Sequence, residues 1–120
     1  MQLTFEDLDD GVRRINLTGR LDVEGTEEID LKLTSLSASK QGWIVVDLSG
    51  VDFMSSLGLG TLVRCAAAQI LRKGKLVLLS PQANVERVLE TTRVNEVVAV
   101  FHDFAAARQA VREAAAAAAG

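Results

Sequence analysis

The chain has 120 residues and a formal net charge of −3, with 16 acidic and 13 basic side chains. That length allows one domain around one core. Without a basic stripe, nothing favours contact with nucleic acid. The single cysteine, Cys65, excludes an internal disulfide and suits a reducing compartment. The opening MQLTFEDLDDG lacks the pattern of a secretory or transit signal. No apolar run approaches the roughly 18 residues that a membrane-spanning helix needs.

QLTFEDL alternates, with Leu3 and Phe5 on one face, and Asp9–Gly11 reads as a turn. RINLTG alternates again with Ile15 and Leu17 inward, which predicts an antiparallel hairpin with one covered face. Thr26, followed by Glu27 and Glu28, predicts a helix start: a capping hydroxyl, then acids at the positive end of the dipole. Ile29, Leu33 and Leu36 continue that helix at the expected spacing. WIVVDL (Trp43–Leu48) is apolar on both faces, as a central covered strand requires.

The next helix runs to about Lys73. Leu59, Leu62, Val63, Ala66 and Ile70 are predicted to face the core, and Thr61, Arg64 and Arg72 to face water. Gly74 is placed to end it. KLVLLS (Lys75–Ser80) predicts a second covered strand, parallel to the first across a βαβ unit. Ser80 and Pro81 predict a cap and a first helical proline, with Val85, Val88 and Leu89 buried. VVAVF (Val97–Phe101) reads as a short strand. Asp103 is expected to cap a last helix packed through Phe104, Ala107 and Val111. The alanine-rich tail, residues 114–120, reads as a fraying helical end or a cloning remnant.

The chemistry concentrates in DFMSSLGLGTLV (Asp52–Val63), with two serines and two glycines at the mouth of a helix. A serine there is ordinarily a cap, but one serine suffices for that. The first-turn N–H groups and the dipole make the same place a seat for an anion, and Gly58 and Gly60 leave the backbone open to approach. The GLG triplet lacks the following lysine and hydroxyl of a nucleotide loop. A nucleophile elbow needs glycine on both sides of the serine, and Met54 stands in the way. His102 is the lone histidine and reads as a surface or loop residue. No second His or Cys completes a metal set, and Cys65 reads as packing. No catalytic residue, cofactor or metal is expected.

Taken together, LTGRLDV, VVDLSGVDFMSSLGLGTLV and KGKLVLLSPQANVERVLETTRVNEVVAVF resemble the STAS domain family, and within it the small bacterial anti-sigma factor antagonists, over about Leu3–Val111. The resemblance implies one STAS-like α/β domain over residues 1–113, a four- to five-stranded mixed sheet with helices mainly on one side. Phosphorylated members read Asp-Ser-Ser/Thr-Gly-Leu-Gly in the loop and take phosphate on the first hydroxyl after the Asp. Here Ser55 stands in the place of that Asp, Ser56 is the first hydroxyl, Leu57 replaces the second, and Gly58, Leu59 and Gly60 match. Ser56 is thus the implied phosphoacceptor, with Ser55 as its substitute. Asp22 takes the place of the acidic residue near the site in relatives. Asp22, Ser55, Ser56, Gly58, Leu59, Gly60 and Arg64 are the implied partner-binding set.

The implied function is partner switching in the cytoplasm, without catalysis by this chain, nucleic-acid contact or direct membrane insertion. The unphosphorylated domain would bind an anti-sigma factor that is also a serine kinase. Phosphorylation of Ser56 would release it, and a phosphatase would reset the cycle. The alternative is a STAS scaffold or transporter-associated subunit that never uses phosphate and docks on an ATPase or signalling assembly.

Overall fold

A computed structural model describes residues 1–119. The elements, in chain order, are β1 (Gln2–Asp7), β2 (Arg13–Leu21), α1 (Val23–Ser37), β3 (Trp43–Met54), α2 (Ser56–Leu71), β4 (Lys75–Leu79), α3 (Ala83–Thr91), β5 (Val100–Phe101) and α4 (Phe104–Ala119), with a 3-10 turn at Val94–Glu96 before β5. The five strands form one sheet in the order β1-β2-β3-β4-β5. The β1–β2 hairpin is antiparallel, as the alternation predicts, and the other three pairings are parallel.

This topology explains the layers. Three successive strand–helix–strand crossovers step across the sheet in one direction. Crossovers of one hand then set α1, α2 and α3 on the same face. Their apolar residues, among them Ile29, Leu33, Leu62, Ala66, Val85 and Leu89, join Ile15, Leu17, Val46, Leu48 and Leu78 in the main core. The chain crosses the sheet after β5, and α4 covers Val45, Val77 and Leu79 of the opposite face through Ala107 and Val111. The side chains of β3 and β4 are therefore covered on both faces, as their apolar runs require.

Several boundaries differ from the pattern reading. Helix α1 starts one turn early, at Val23, with Asp22 as its cap. Thr26 is a buried helical residue instead. In α2, Thr61 is buried and Ile70 is 62% exposed, the reverse of expectation. The interior position near that end belongs to Gln69, whose amide is used in full. It accepts from Gly42 N–H at 2.8 Å and donates to the carbonyls of Ser37 and Lys40 at 2.6 and 2.9 Å. The left-handed residue that closes α2 is Lys73 (φ 62°), one before Gly74. Gly74 is there because a side chain would strike the Gln69 amide and the Gly42 backbone.

Ser80 does not cap α3. It sits at φ 52° with its N–H donating to Phe101 O, and the helix starts at Ala83 after Gln82. The predicted strand from Val97 contracts to Val100–Phe101. Leu3 is half-buried against the core, but Phe5 is exposed beneath the Arg13 guanidinium, 5.0 Å from its ring centre. Asp103 does cap α4, accepting from Ala106 N–H at 3.2 Å. The alanines to Ala119 continue that helix, and Gly120 lies outside the described residues. No helix among the described residues is long and apolar enough to cross a membrane.

Candidate functional site

Strands β2 and β3 end side by side, with Leu21 and Met54 as register partners. Each runs directly into a helix, so two helix N-termini lie together at the C-terminal ends of these interior strands. Asp22 caps α1, its Oδ1 accepting from Gly25 N–H at 2.7 Å. Ser55 caps α2, its Oγ accepting from Gly58 N–H at 3.2 Å. The Ser55 hydroxyl also donates to Leu21 O at 2.6 Å, and the Ser55 N–H donates to the same oxygen at 2.8 Å. One β2 carbonyl thus anchors the start of α2, next to the residue that starts α1.

The two serines therefore have different lives. Ser55 is taken up by the cap, its hydroxyl accepting from Gly58 N–H and donating to Leu21 O. Ser56, the first residue of α2, is exposed, and its hydroxyl has no hydrogen-bond partner among the described residues. It stands at the positive end of a 16-residue helix.

Of the other predicted residues, Gly58 and Leu59 are buried and face inward. Gly58 lets the helix starts approach: a Cβ there would lie 3.0 Å from both Leu21 Cβ and Leu21 O, and 3.2 Å from Thr26 Oγ1. That Thr26 hydroxyl is itself buried without a partner. Gly60 faces outward, where a Cβ would meet only the Arg64 guanidinium at 3.6 Å. Arg64 is exposed, and its guanidinium donates to Thr61 Oγ1 at 3.0 Å. Asp22, Ser55, Ser56, Gly60 and Arg64 thus line one edge, with Gly58 and Leu59 as its support.

Four residues outside the predicted partner-binding set complete the rim. Val23 and Leu57, one in the first turn of each helix, are exposed apolar side chains. Arg20 lies over Phe53, 4.4 Å from the ring centre, and its Nε is 3.5 Å from Asp22 Oδ2. The signal for this pair was available only from register, which sets Arg20 opposite Phe53. The Gly25 N–H, helped by Arg20, holds the Asp22 carboxyl below the ordinary carboxylate range. Asp22 is accordingly a fixed negative charge at neutral pH.

The outward face of α2 is unlike that of an ordinary surface helix. Leu57, Gly60, Ala67, Ile70 and Leu71 leave Arg64 as the one charged residue between Ser56 and Leu71. A helix apolar on nearly every side is usually covered on every side.

The fold is an α/β domain with a mixed five-stranded sheet and an exposed serine at the start of α2. The chain belongs to the STAS domain family, whose model matches residues 7–107. Solved structures agree. A Thermotoga maritima protein assigned as an anti-sigma factor antagonist superimposes with a TM-score of 0.83 at 25% identity, covering 92% of this chain and 94% of its own. An anti-sigma factor antagonist from Mycobacterium paratuberculosis gives 0.82 at 21%, covering 92% and 93%. The anti-sigma factor antagonist SpoIIAA in its unphosphorylated form gives 0.71 at 20%, covering 91% and 96%. A phosphorylated form of SpoIIAA from Bacillus has also been solved.

Proposed function

We propose that this domain is an anti-sigma factor antagonist switched by phosphorylation of Ser56. The observation that carries the reading is the Ser56 hydroxyl itself: exposed, without a partner inside the domain, and on the first residue of α2. Unphosphorylated, the domain binds an anti-sigma factor with serine kinase activity and so frees a sigma factor for transcription. The kinase transfers phosphate from ATP to Ser56, the complex parts, and a phosphatase resets the domain. These events take place in the cytoplasm, and this chain supplies the substrate serine.

The energetics are consistent. A phosphoserine adds about −1.5 to −2 charges near neutral pH. At an exposed helix N-terminus such charge is favoured by roughly 0.3–1 kcal/mol, so the domain stays folded. A partner seated on Val23, Leu57 and Gly60 instead meets a hydrated dianion beside the negative Asp22. A mismatch of about 3 kcal/mol lowers affinity more than a hundredfold. The outward face of α2 suits a different chain better than a second copy. Two α2 helices packed antiparallel between Leu57 and Leu71 would bring Arg64 against its own counterpart at the midpoint.

The test is incubation with the cognate kinase and ATP, read by intact mass. Wild type and Ser55→Ala should each gain one phosphoryl group, and Ser56→Ala none. Ser56→Asp should lose kinase binding at unchanged Tm. Equal binding by wild type and Ser56→Asp rejects the switch, and binding without phosphate transfer supports the scaffold role instead.

A further inference from the structure

The sheet has two edges of unequal length. β5 is two residues long, but β1 runs for six, Gln2–Asp7, and all of them except Leu3 are exposed. One bond fixes which backbone groups of β1 face outward. Leu8 N–H donates to Val12 O at 2.9 Å, so Leu8 and Val12 are a hydrogen-bonded pair of the hairpin. Such pairs alternate along an antiparallel ladder, and the register makes Glu6–Arg14, Thr4–Asn16 and Gln2–Thr18 the next ones. Leu3, Phe5 and Asp7 fall between them. Their backbone N–H and C=O groups therefore point away from β2, and no turn or loop backbone reaches them among the described residues.

A bare edge of this kind is a template for another strand. The geometry points to a second copy of this chain, paired antiparallel through β1 about a two-fold axis at Thr4. In that register Leu3 lies opposite the partner's Phe5, and Phe5 opposite the partner's Leu3. Both residues carry outward N–H and C=O groups, so each pair exchanges both of its backbone hydrogen bonds. The side chains agree. Leu3 and Phe5 share the face of their register partners Leu17 and Ile15, which lie in the main core. The Phe5 ring, 43% exposed in the single chain, gains the partner's Leu3 across the seam. On the other face Thr4 meets Thr4, and Gln2 meets Glu6.

Charge and register select this occupant. Both acids of β1, Glu6 and Asp7, stand at one end of the strand. The antiparallel copy sets Glu6 against the uncharged Gln2, whereas a parallel copy in register stacks acid on acid. Moving the axis to Phe5 places Leu3 against Asp7, and moving it to Leu3 leaves Glu6 and Asp7 beyond the end of the partner's strand. β5 is too short to receive β1, so the pairing closes at two copies instead of running on as a stack. The seam is one strand wide, narrower than a standard interface of about 1,600 Å², so the dimer forms and parts with concentration. It leaves the starts of α1 and α2 uncovered, and it does not rest on the reading of Ser56.

The test uses the full chain. On the axis, Thr4 forms a non-hydrogen-bonded pair with its own copy, with Cα atoms about 4.5 Å apart, and disulfides bridge about 4.4–6.8 Å. Under mild oxidation Thr4→Cys should give a linked dimer at least tenfold faster than Glu6→Cys or wild type, whose Cys65 is buried. A mixture of Gln2→Cys and Glu6→Cys should give mainly the mixed dimer. In sedimentation equilibrium the wild-type mass should rise with concentration towards that of two chains. Thr4→Lys, which sets two ammonium groups on the axis, should weaken association at least tenfold at unchanged Tm. Phe5→Pro removes an outward donor without touching the ladder to β2 and should do the same. A monomer at every concentration up to millimolar, equal cross-linking of Thr4→Cys and Glu6→Cys, or association indifferent to Thr4→Lys would overturn the pairing.

Discussion

Gly58 and Gly60 are two residues apart on one helix, and the same substitution should act on them with opposite sign. At Gly60 a Cβ enters nearly open space, its nearest neighbour being the flexible Arg64 guanidinium at 3.6 Å. Alanine there gains helix propensity of about 0.8–1 kcal/mol. For a chain of this length that raises Tm by about 4 °C. At Gly58 the added Cβ presses on Leu21 Cβ, Leu21 O and Thr26 Oγ1 at 3.0–3.2 Å. Leu21 O cannot withdraw without loosening both hydrogen bonds from Ser55. Overpacking of this kind costs about 1–3 kcal/mol, of which propensity returns about 1, leaving a net loss of about 1 kcal/mol. Thermal unfolding of the two variants by circular dichroism, followed by kinase binding, reads both effects. Gly60→Ala should be more stable than wild type and bind more weakly, because the space it fills lies on the proposed partner face. A Gly60→Ala domain that melts below Gly58→Ala would refute the assignment of inner and outer faces. A stabilised Gly60→Ala that binds at full strength would refute the partner's close approach.

Three further outcomes follow from named contacts. Ser55→Ala loses the cap to Gly58 and the bond to Leu21 O, and should cost about 1–2 kcal/mol. Ser56→Ala should change stability by less than about 0.5 kcal/mol when both variants are unfolded in urea, and equal losses at the two serines would contradict their separate roles. Gln69→Leu strips partners from Gly42 N–H and from the Ser37 and Lys40 carbonyls. It should cost about 3 kcal/mol or more, read as a lower urea midpoint, and a near-neutral result would mean water reaches those groups. Burial pushes the Asp47 carboxyl up, but the Ser49 N–H and the Arg14 guanidinium outweigh it and hold it below the ordinary value. A folded pKa below the unfolded one gives stability that is present above about pH 4 and lost as pH falls through the folded value. Asp47→Asn should therefore show a flatter acid limb than wild type in pH-dependent unfolding, and superimposable limbs would count against the pair.

The hairpin, the covered strands and the α2 core stripe were legible because period-2 and period-3.6 patterns record which side of an element is covered. Failures fell where the pattern was the wrong guide. Thr26 resembles a cap in sequence, yet Asp22 reaches the Gly25 N–H first and carries the helix back by a turn. Ile70 fits the apolar stripe, but Gln69 holds the interior place because three backbone groups there need an amide. The helix start at residues 55–60 could be located by residue type alone. The division of labour between its serines could not, since it depends on a carbonyl of Leu21, 34 residues earlier.

On the far side of the sheet, Asp47 and Arg14 form an ion pair at 2.6 Å, with the Arg14 guanidinium 4.3 Å from the ring centre of Phe104. Phe104 opens α4, so the terminal helix is held by a charge sandwiched between an acid and an aromatic ring as well as by its apolar stripe. Shortening the chain to end before Phe104 would lay bare Val45, Val77 and Leu79 and strip the ring from a half-exposed cation. Past Val111 no described residue of that helix is buried, but Phe104, Ala107 and Val111 are the lid of a second core.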